Sequence, residues 1–425
     1  MNKTKKIKYC QLPETYSING SSLHLYHIPN NTLHVSAMVI GGKFKETKKN
    51  SGISHLLEHV LTNSYIKCNY IDCRTFFQTK GIKYNAITGN NYIQYWISGL
   101  ISNQDLLLDY IINTINYPKI IKENFEKEKK AVESEITRNI NYKTYELHNK
   151  FAKNFYKIPS IKYSNDYELQ LANLKKFTID DLYNWFERYY NNISYFVVGD
   201  FKTNDILNLF KKQLPLFKPY IFKISYDELF SLKKNKILYI HNNDQKIVNL
   251  SIAFPVNILV TNSKFQYIQY ITSILQNILL VNLRSKKDLV YSIFVNSNLT
   301  ISYTTVTISC NVITEKANEV IQYILYLLNY YKSSLVSQDE INSFKKKAKY
   351  EYYNTINNNT NSKVFSQYNN QLYLADFDNK FKIRTVCQDI DLISKINPKI
   401  FNNLMREIFN FNTMFITYQS SRKIY

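Results

Sequence analysis

Two histidines and a glutamate carry the clearest chemistry in this chain: His55, Glu58 and His59, within the run Ser51-Gly52-Ile53-Ser54-His55-Leu56-Leu57-Glu58-His59-Val60. His55 and His59 stand at i and i+4, so on a helix their imidazoles lie one above the other and can hold the same ion. Neutral imidazole is the commonest protein ligand for a metal, zinc takes two of them readily, and a neighbouring carboxylate can deprotonate water that zinc has acidified. A single histidine on an apolar helix face is usually a core or surface residue. With seven histidines in 425 residues, however, this three-residue pattern seldom arises by accident. The order His-x-x-Glu-His is the inverzincin arrangement, and it reads as half of a zinc site.

The elements that position this half-site follow from periodicity and turn residues. Residues 23–28 and 33–40 read as strands joined by Pro29-Asn30-Asn31, with Gly41-Gly42 ending the second. A helix from about 51 to 62 carries the histidines, and a short helix follows over about 70–79. Residues 83–88 and 92–98 read as a hairpin around Gly89-Asn90-Asn91. Leu106, Leu107, Tyr110, Ile111 and Ile115 mark a helix over 103–116, stopped by Pro118. The next helix, over about 122–140, bears glutamates at 123, 126, 128, 133 and 135. Glu128 and Glu135 are seven apart, two turns along one face. Read alone, such a helix is a solvated, charged surface. Helices over 145–156 and 179–190 and a strand over 194–198, stopped by Gly199-Asp200, close an α+β unit near residue 215.

Residues 216–235, entered through Pro215-Leu216-Phe217-Lys218-Pro219, read as a linker between a domain at 1–215 and a second at 236–425. Beyond it the order of elements starts again: strands over 236–241 and 247–254, a long helix over 264–280, strands over 290–296 and 300–312, and helices over 316–332 and 339–357. This recurrence predicts two homologous halves, each a mostly antiparallel sheet packed with helices. All eight glycines lie at or before Gly199, and the second half has one histidine, His241, so it cannot repeat the metal pattern.

Composition sets the class. A chain of this length with 45% hydrophobic residues has material for sizeable cores in two or three domains. The first twenty residues contain no apolar run long enough for a signal sequence or a membrane span. Five cysteines, odd in number and without C-x-x-C spacing, suit a reducing compartment and predict a cytoplasmic protein. The net charge of +21 would attract polyanions, but the lysines are scattered in a chain rich in asparagine, isoleucine and tyrosine, so nucleic-acid binding is not expected.

These residues resemble the pitrilysin/insulinase metallopeptidases, which include insulysin and the mitochondrial processing peptidase. That family pattern places a glutamate ligand seventy-six positions after the second histidine, with another glutamate seven residues earlier. Counting from His59 lands on Glu135, and seven earlier is Glu128. Asn85-Ala86-Ile87-Thr88 with Tyr95 is similar to the strand beside the active site, where the asparagine and the backbone help hold the substrate. Phe196-Val197-Val198-Gly199-Asp200 resembles the end of the first domain, and Leu283-Arg284 with Val290-Tyr291 the stretch whose arginine and tyrosine reach the substrate. Where the family usually has glycine, before Leu289, this chain has Asp288.

The resemblance implies a processing-peptidase and LuxS-like metallohydrolase architecture of class α+β. It implies one zinc held by His55, His59 and Glu135 with a fourth position open to water, Glu58 as general base, and Glu128 orienting a ligand. Asn85, Ala86 and Tyr291 would bind the peptide backbone or the oxyanion, and Arg284 a carbonyl or carboxylate of the substrate. The activity implied is a zinc endopeptidase acting on small peptides or unfolded segments in a closed chamber. Family members build that chamber from four such domains, so a two-domain chain implies a homodimer, or a heterodimer with a related chain. The competing reading is a non-catalytic or partner-dependent subunit.

Overall fold

The computed structural model describes residues 11–69, 72–142, 144–191, 193–217, 236–242, 246–256, 258, 264–299, 304–357, 360–377 and 381–424. They form two compact units. The first takes the described residues within 1–142, 159–223 and 355–386, the second those within 143–158, 224–354 and 387–425. The units therefore depart from the contiguous halves 1–215 and 236–425 by an exchange: residues 143–158 join the second unit and 355–386 the first. Most of the predicted linker, 218–235, lies outside the described residues.

The first unit is built on a six-stranded sheet of β1 (Glu14–Ile18), β2 (Ser21–His27), β3 (Thr32–Ile40), β4 (Lys83–Thr88), β5 (Tyr92–Leu100) and β6 (Ile193–Gly199). The order is β1-β2-β6-β3-β5-β4, with β2 and β6 parallel and the other pairs antiparallel. Pro29-Asn30-Asn31 thus joins two strands that are not neighbours, because β6 lies between them. The alternation of β3 separates two faces: Leu33, Val35, Ala37 and Val39 join the main core beneath the helices, while His34 and Ser36 point the other way. On that other face Tyr26, Ile28, Phe196 and Val198 are covered by Val364, Tyr368 and Leu372 of the helix Asn361–Phe377.

The second unit repeats the plan with β7 (Lys236–His241), β8 (Ile247–Val256), β9 (Ile293–Leu299), β10 (Thr304–Ile313) and β11 (Phe415–Ser420), in the order β7-β11-β8-β10-β9. Here β7 and β11 are the parallel pair. Val248, Leu250, Ile252 and Phe254 of β8 are buried on alternate positions, and the helices Phe265–Leu280, Ala317–Ser333 and Pro398–Ile408 bring their own buried apolar faces to this unit. The exchanged helix Tyr145–Phe155 sets Phe151 and Phe155 against Phe415 of β11, with ring centroids 5.3 and 5.7 Å apart. Each unit is a mixed, mostly antiparallel sheet packed with helices, the α+β class that periodicity predicts.

Asp288 adopts a left-handed conformation with φ 50°. Its N–H donates to the carbonyl of Arg284, and that of Leu289 to the carbonyl of Leu283, closing the end of the long helical segment. Aspartate is among the few residues with a side chain that tolerate this region, which accounts for its place where glycine would be usual. Against the reduced state that an odd number of cysteines without C-x-x-C spacing predicts, Cys68 and Cys73 are joined as a disulfide with Cα atoms 5.0 Å apart, and Cys387 is disulfide-bonded as well. Five residues of chain are enough to bring two cysteines within this reach. Among the described residues no helix is long and apolar enough to cross a membrane.

Candidate metal centre

The histidines lie on the helix Ile53–Thr62, whose apolar residues Ile53, Leu56, Leu57, Val60 and Leu61 are fully buried in the first unit's core. That leaves His55 and His59 on the remaining face, their rings 4.8 Å apart. The N-terminus of this helix is held by a residue that periodicity does not mark. One oxygen of Glu46 accepts from the N–H of Gly52 at 2.9 Å and the other from that of Ser54 at 3.0 Å, so a buried carboxylate caps the helix from the preceding loop. Burial pushes the Glu46 carboxyl up, against these hydrogen bonds and the charge of Lys43.

The glutamate-rich helix spans Lys122–Ile140. Asn124, Phe125, Glu128, Val132 and Ile136 form its buried face, so Glu128 belongs to the packed side of a helix whose other glutamates are wholly or partly exposed. Asn124 locks it to the metal helix, donating to the carbonyl of Val60 at 3.0 Å and to the Ser64 hydroxyl at 2.7 Å. Glu135, two turns on, then reaches both histidines. Its Oε2 lies 3.8 Å from His55 Nε2 and 3.7 Å from His59 Nε2.

A tetrahedral zinc with ligand bonds of about 2.0–2.2 Å needs donor atoms about 3.3–3.5 Å apart. The two observed separations exceed this by only a few tenths of an ångström, so His55, His59 and Glu135 fit one zinc. His55, Glu58 and His59 are themselves grouped within 4.8 Å. Glu128 is placed to orient His59: its Oε2 lies 3.4 Å from His59 Nδ1, which leaves Nε2 to face Glu135. Asn63 then donates to Glu128 Oε1 at 3.0 Å, and the Tyr84 hydroxyl donates to Asn63 at 3.3 Å. Asn63 and Tyr84 carry no signal at the level of spacing, since each meets the site through one polar contact.

The electrostatics act in opposite directions on the two histidines. Burial, with His59 and Lys43 beside it, pulls His55 down to about 3 and keeps it neutral. Burial also opposes charge on His59, but the Glu128 hydrogen bond and the charges of Glu58, Glu128 and Glu135 outweigh it and raise the group. Burial pushes Glu58 up, opposed by His59 and by the Thr88 hydroxyl, which donates to Glu58 Oε2 at 3.0 Å. Thr88 ends β4, the strand that carries Asn85 and Ala86 at the free edge of the sheet. The two remaining predicted residues, Arg284 and Tyr291, belong to the second unit, where the guanidinium lies 4.9 Å from the centre of the tyrosine ring. Tyr291 is 80% exposed.

Comparisons with known proteins bear on the family and the fold. The sequence profile of the insulinase family, peptidase family M16, matches residues 25–164, and that of the peptidase M16 inactive domain matches residues 176–348. A probable zinc protease PqqL of Haemophilus influenzae is 23% identical over 270 residues, 59% of this chain and 28% of the relative, so the chain matches little more than a quarter of that protein's length. Among solved structures, a protease from Helicobacter pylori covers 96% of this chain and 100% of its own at TM-score 0.79 and 18% identity. A peptidase M16 inactive domain from Pseudomonas fluorescens covers 97% and 98% at TM-score 0.81 and 14% identity. The first half of the periplasmic protease PqqL from Escherichia coli covers 97% and 93% at TM-score 0.76 and 16% identity.

Proposed function

Because the chain belongs to the insulinase family of M16 peptidases, we propose that it is a zinc-dependent endopeptidase with Glu58 as its general base. The convergence of Glu135 Oε2 on the Nε2 atoms of His55 and His59, with Glu58 alongside, carries this reading. Zinc held there supplies Lewis acidity toward water and the peptide carbonyl. Glu58, oriented by the Thr88 hydroxyl and made more basic by burial, takes the proton of the attacking water and passes it to the leaving amine. Glu128 fixes the His59 ring so that Nε2 faces the metal position. The free edge of β4 offers its main chain, with Asn85 and Ala86, to an extended peptide. Arg284 and Tyr291 complete the proposal as substrate-facing groups.

The chain works as a homodimer, or beside a related chain, in this proposal, with Arg284 and Tyr291 of one protomer serving the other's zinc site. Full peptidase activity from a monomer in light scattering would remove that part. The cytoplasmic placement is tested by alkylating the protein as isolated from cells: free Cys68 and Cys73 fit it, and a bonded pair fits an oxidising compartment such as the periplasm.

The central test pairs metal analysis with cleavage of a peptide library. The wild-type chain should hold one zinc and give chelator-sensitive products. Glu58→Gln should keep the zinc and lose cleavage by at least about a hundredfold. The second reading, a non-catalytic or partner-dependent subunit, draws on the match of residues 176–348 to the inactive domain of the family. It predicts zinc binding without cleavage until a partner chain is added.

A further inference from the structure

The turn Gly42–Lys45 connects β3 to the loop before the metal helix, and it is pinned on two sides. The N–H of Lys43 donates to the carbonyl of Gly89 at 3.1 Å and that of Phe44 to the carbonyl of Asn90 at 2.7 Å, fastening the turn to the β4–β5 hairpin. On its other side the Ser54 hydroxyl, one residue before His55, donates to the carbonyl of Gly42 at 3.4 Å. Lys43 is thereby held beside the groups that flank the metal position. Its charge lies within electrostatic reach of Glu46, His55 and Glu58 together.

The Lys43 side chain is half-buried and makes no hydrogen bond or ion pair among the described residues. A partly buried ammonium without a hydrogen-bonded partner is unusual, because its desolvation is then offset by distant charges alone. Glu46 does not supply the contact: both its oxygens are taken up by the N–H groups of Gly52 and Ser54.

We propose that Lys43 is a specificity-determining residue of the peptidase site, selecting substrates with an acidic side chain next to the scissile bond. The inference rests on the peptidase reading and extends it to a substrate class. Lysine suits the role, being a compact charge on a flexible stem that can meet a carboxylate from several directions.

The test uses the full-length, zinc-loaded chain and peptides identical except for Glu, Gln or Lys at the positions flanking the cleaved bond. The wild type should favour the Glu peptide over the Lys peptide by about tenfold or more, as expected for one charge pair a few ångströms apart in a partly solvated site. Read as the ratio of rates on the three peptides within each variant, Lys43→Met should lose this ranking, Lys43→Glu should reverse it, and Lys43→Arg should keep it. Binding of the same peptides to the Glu58→Gln variant should follow the same order without turnover. An unchanged ranking in Lys43→Glu, or equal binding of all three peptides, would overturn the proposal. Ordered binding without cleavage by the wild type would instead count against the peptidase reading alone. Unfolding midpoints of Lys43→Met within about 0.3 M urea of the wild type separate selection from a role in balancing Glu46.

Discussion

His34 makes the stability of the first unit depend on pH in a way that can be worked out in advance. Its ring is buried between Trp96, at 5.6 Å and nearly stacked, and Phe365 of the helix covering the back of the sheet, at 4.2 Å. Among the described residues Nε2 is buried with no hydrogen-bond partner, and burial pulls the group down to about 4. The unfolded chain holds its histidines near 6.5, so between pH 6.5 and 4 the unfolded state binds the proton that the folded state refuses. Stability is therefore full above the unfolded value and falls as the pH drops. The loss is about 2 kcal/mol between pH 7 and pH 5 and approaches about 3.4 kcal/mol below the folded value.

His34→Phe keeps a planar ring in the same slot and removes both the proton and the unpaired nitrogen. It should match or exceed the wild type at pH 7 by about 1 kcal/mol. The gap should then widen by about 2 kcal/mol at pH 5, which at a slope of about 2 kcal/mol/M is a further shift of about 1 M in urea midpoint. The assay isolates the right unit, because both tryptophans, Trp96 and Trp185, lie in the first unit and selectively excited tryptophan fluorescence follows its unfolding. Other titrating groups are common to both proteins and cancel in the difference. A gap that stays constant within about 0.5 kcal/mol from pH 7 to pH 5 would refute the argument.

Two further outcomes follow from the site. Glu128→Gln weakens the acceptor at His59 Nδ1 and should lower zinc affinity about tenfold to a hundredfold, measured by competition with a metal-binding dye, with little change in unfolding midpoint. Gly42→Ala should destabilise the first unit by about 2–4 kcal/mol in urea unfolding. Gly42 has φ 45°, and an added Cβ would lie 2.5 Å from the Gly89 carbonyl oxygen, 2.7 Å from the Tyr92 nitrogen and 2.8 Å from the Asn90 oxygen, all main-chain atoms that cannot swing aside.

The local parts of this structure were legible because each is written in consecutive residues. The helix bearing His55 and His59, the hairpin at Gly89-Asn90-Asn91 and the long helices of both halves lie close to where periodicity puts them. Glu135 was different: spacing alone leaves it on a charged surface helix, and only the family pattern picks it out. The burial of Glu128 is visible afterwards in its company with Phe125, Val132 and Ile136, a face that the density of charges hides. Glu46 gives no such trace, since a loop carboxylate capping a helix six residues away belongs to no period. The insertion of β6 between β2 and β3 is equally silent, because hydrophobic alternation makes a strand without naming its neighbour.

The exchange of helices has a consequence for how the protein comes into being. Tyr26, Ile28, Phe196 and Val198 are all made within the first 200 residues, yet the helix that covers them begins at Asn361. On the ribosome the first sheet therefore emerges with one apolar face bare and stays so until most of the remaining chain has been synthesised. The helix Tyr145–Phe155 has the opposite problem, waiting for strands such as β11, made some 260 residues later. Neither unit can finish before the other has begun. Translation speed and chaperone capture over that interval, more than the stability of either finished unit, would govern the yield of native protein.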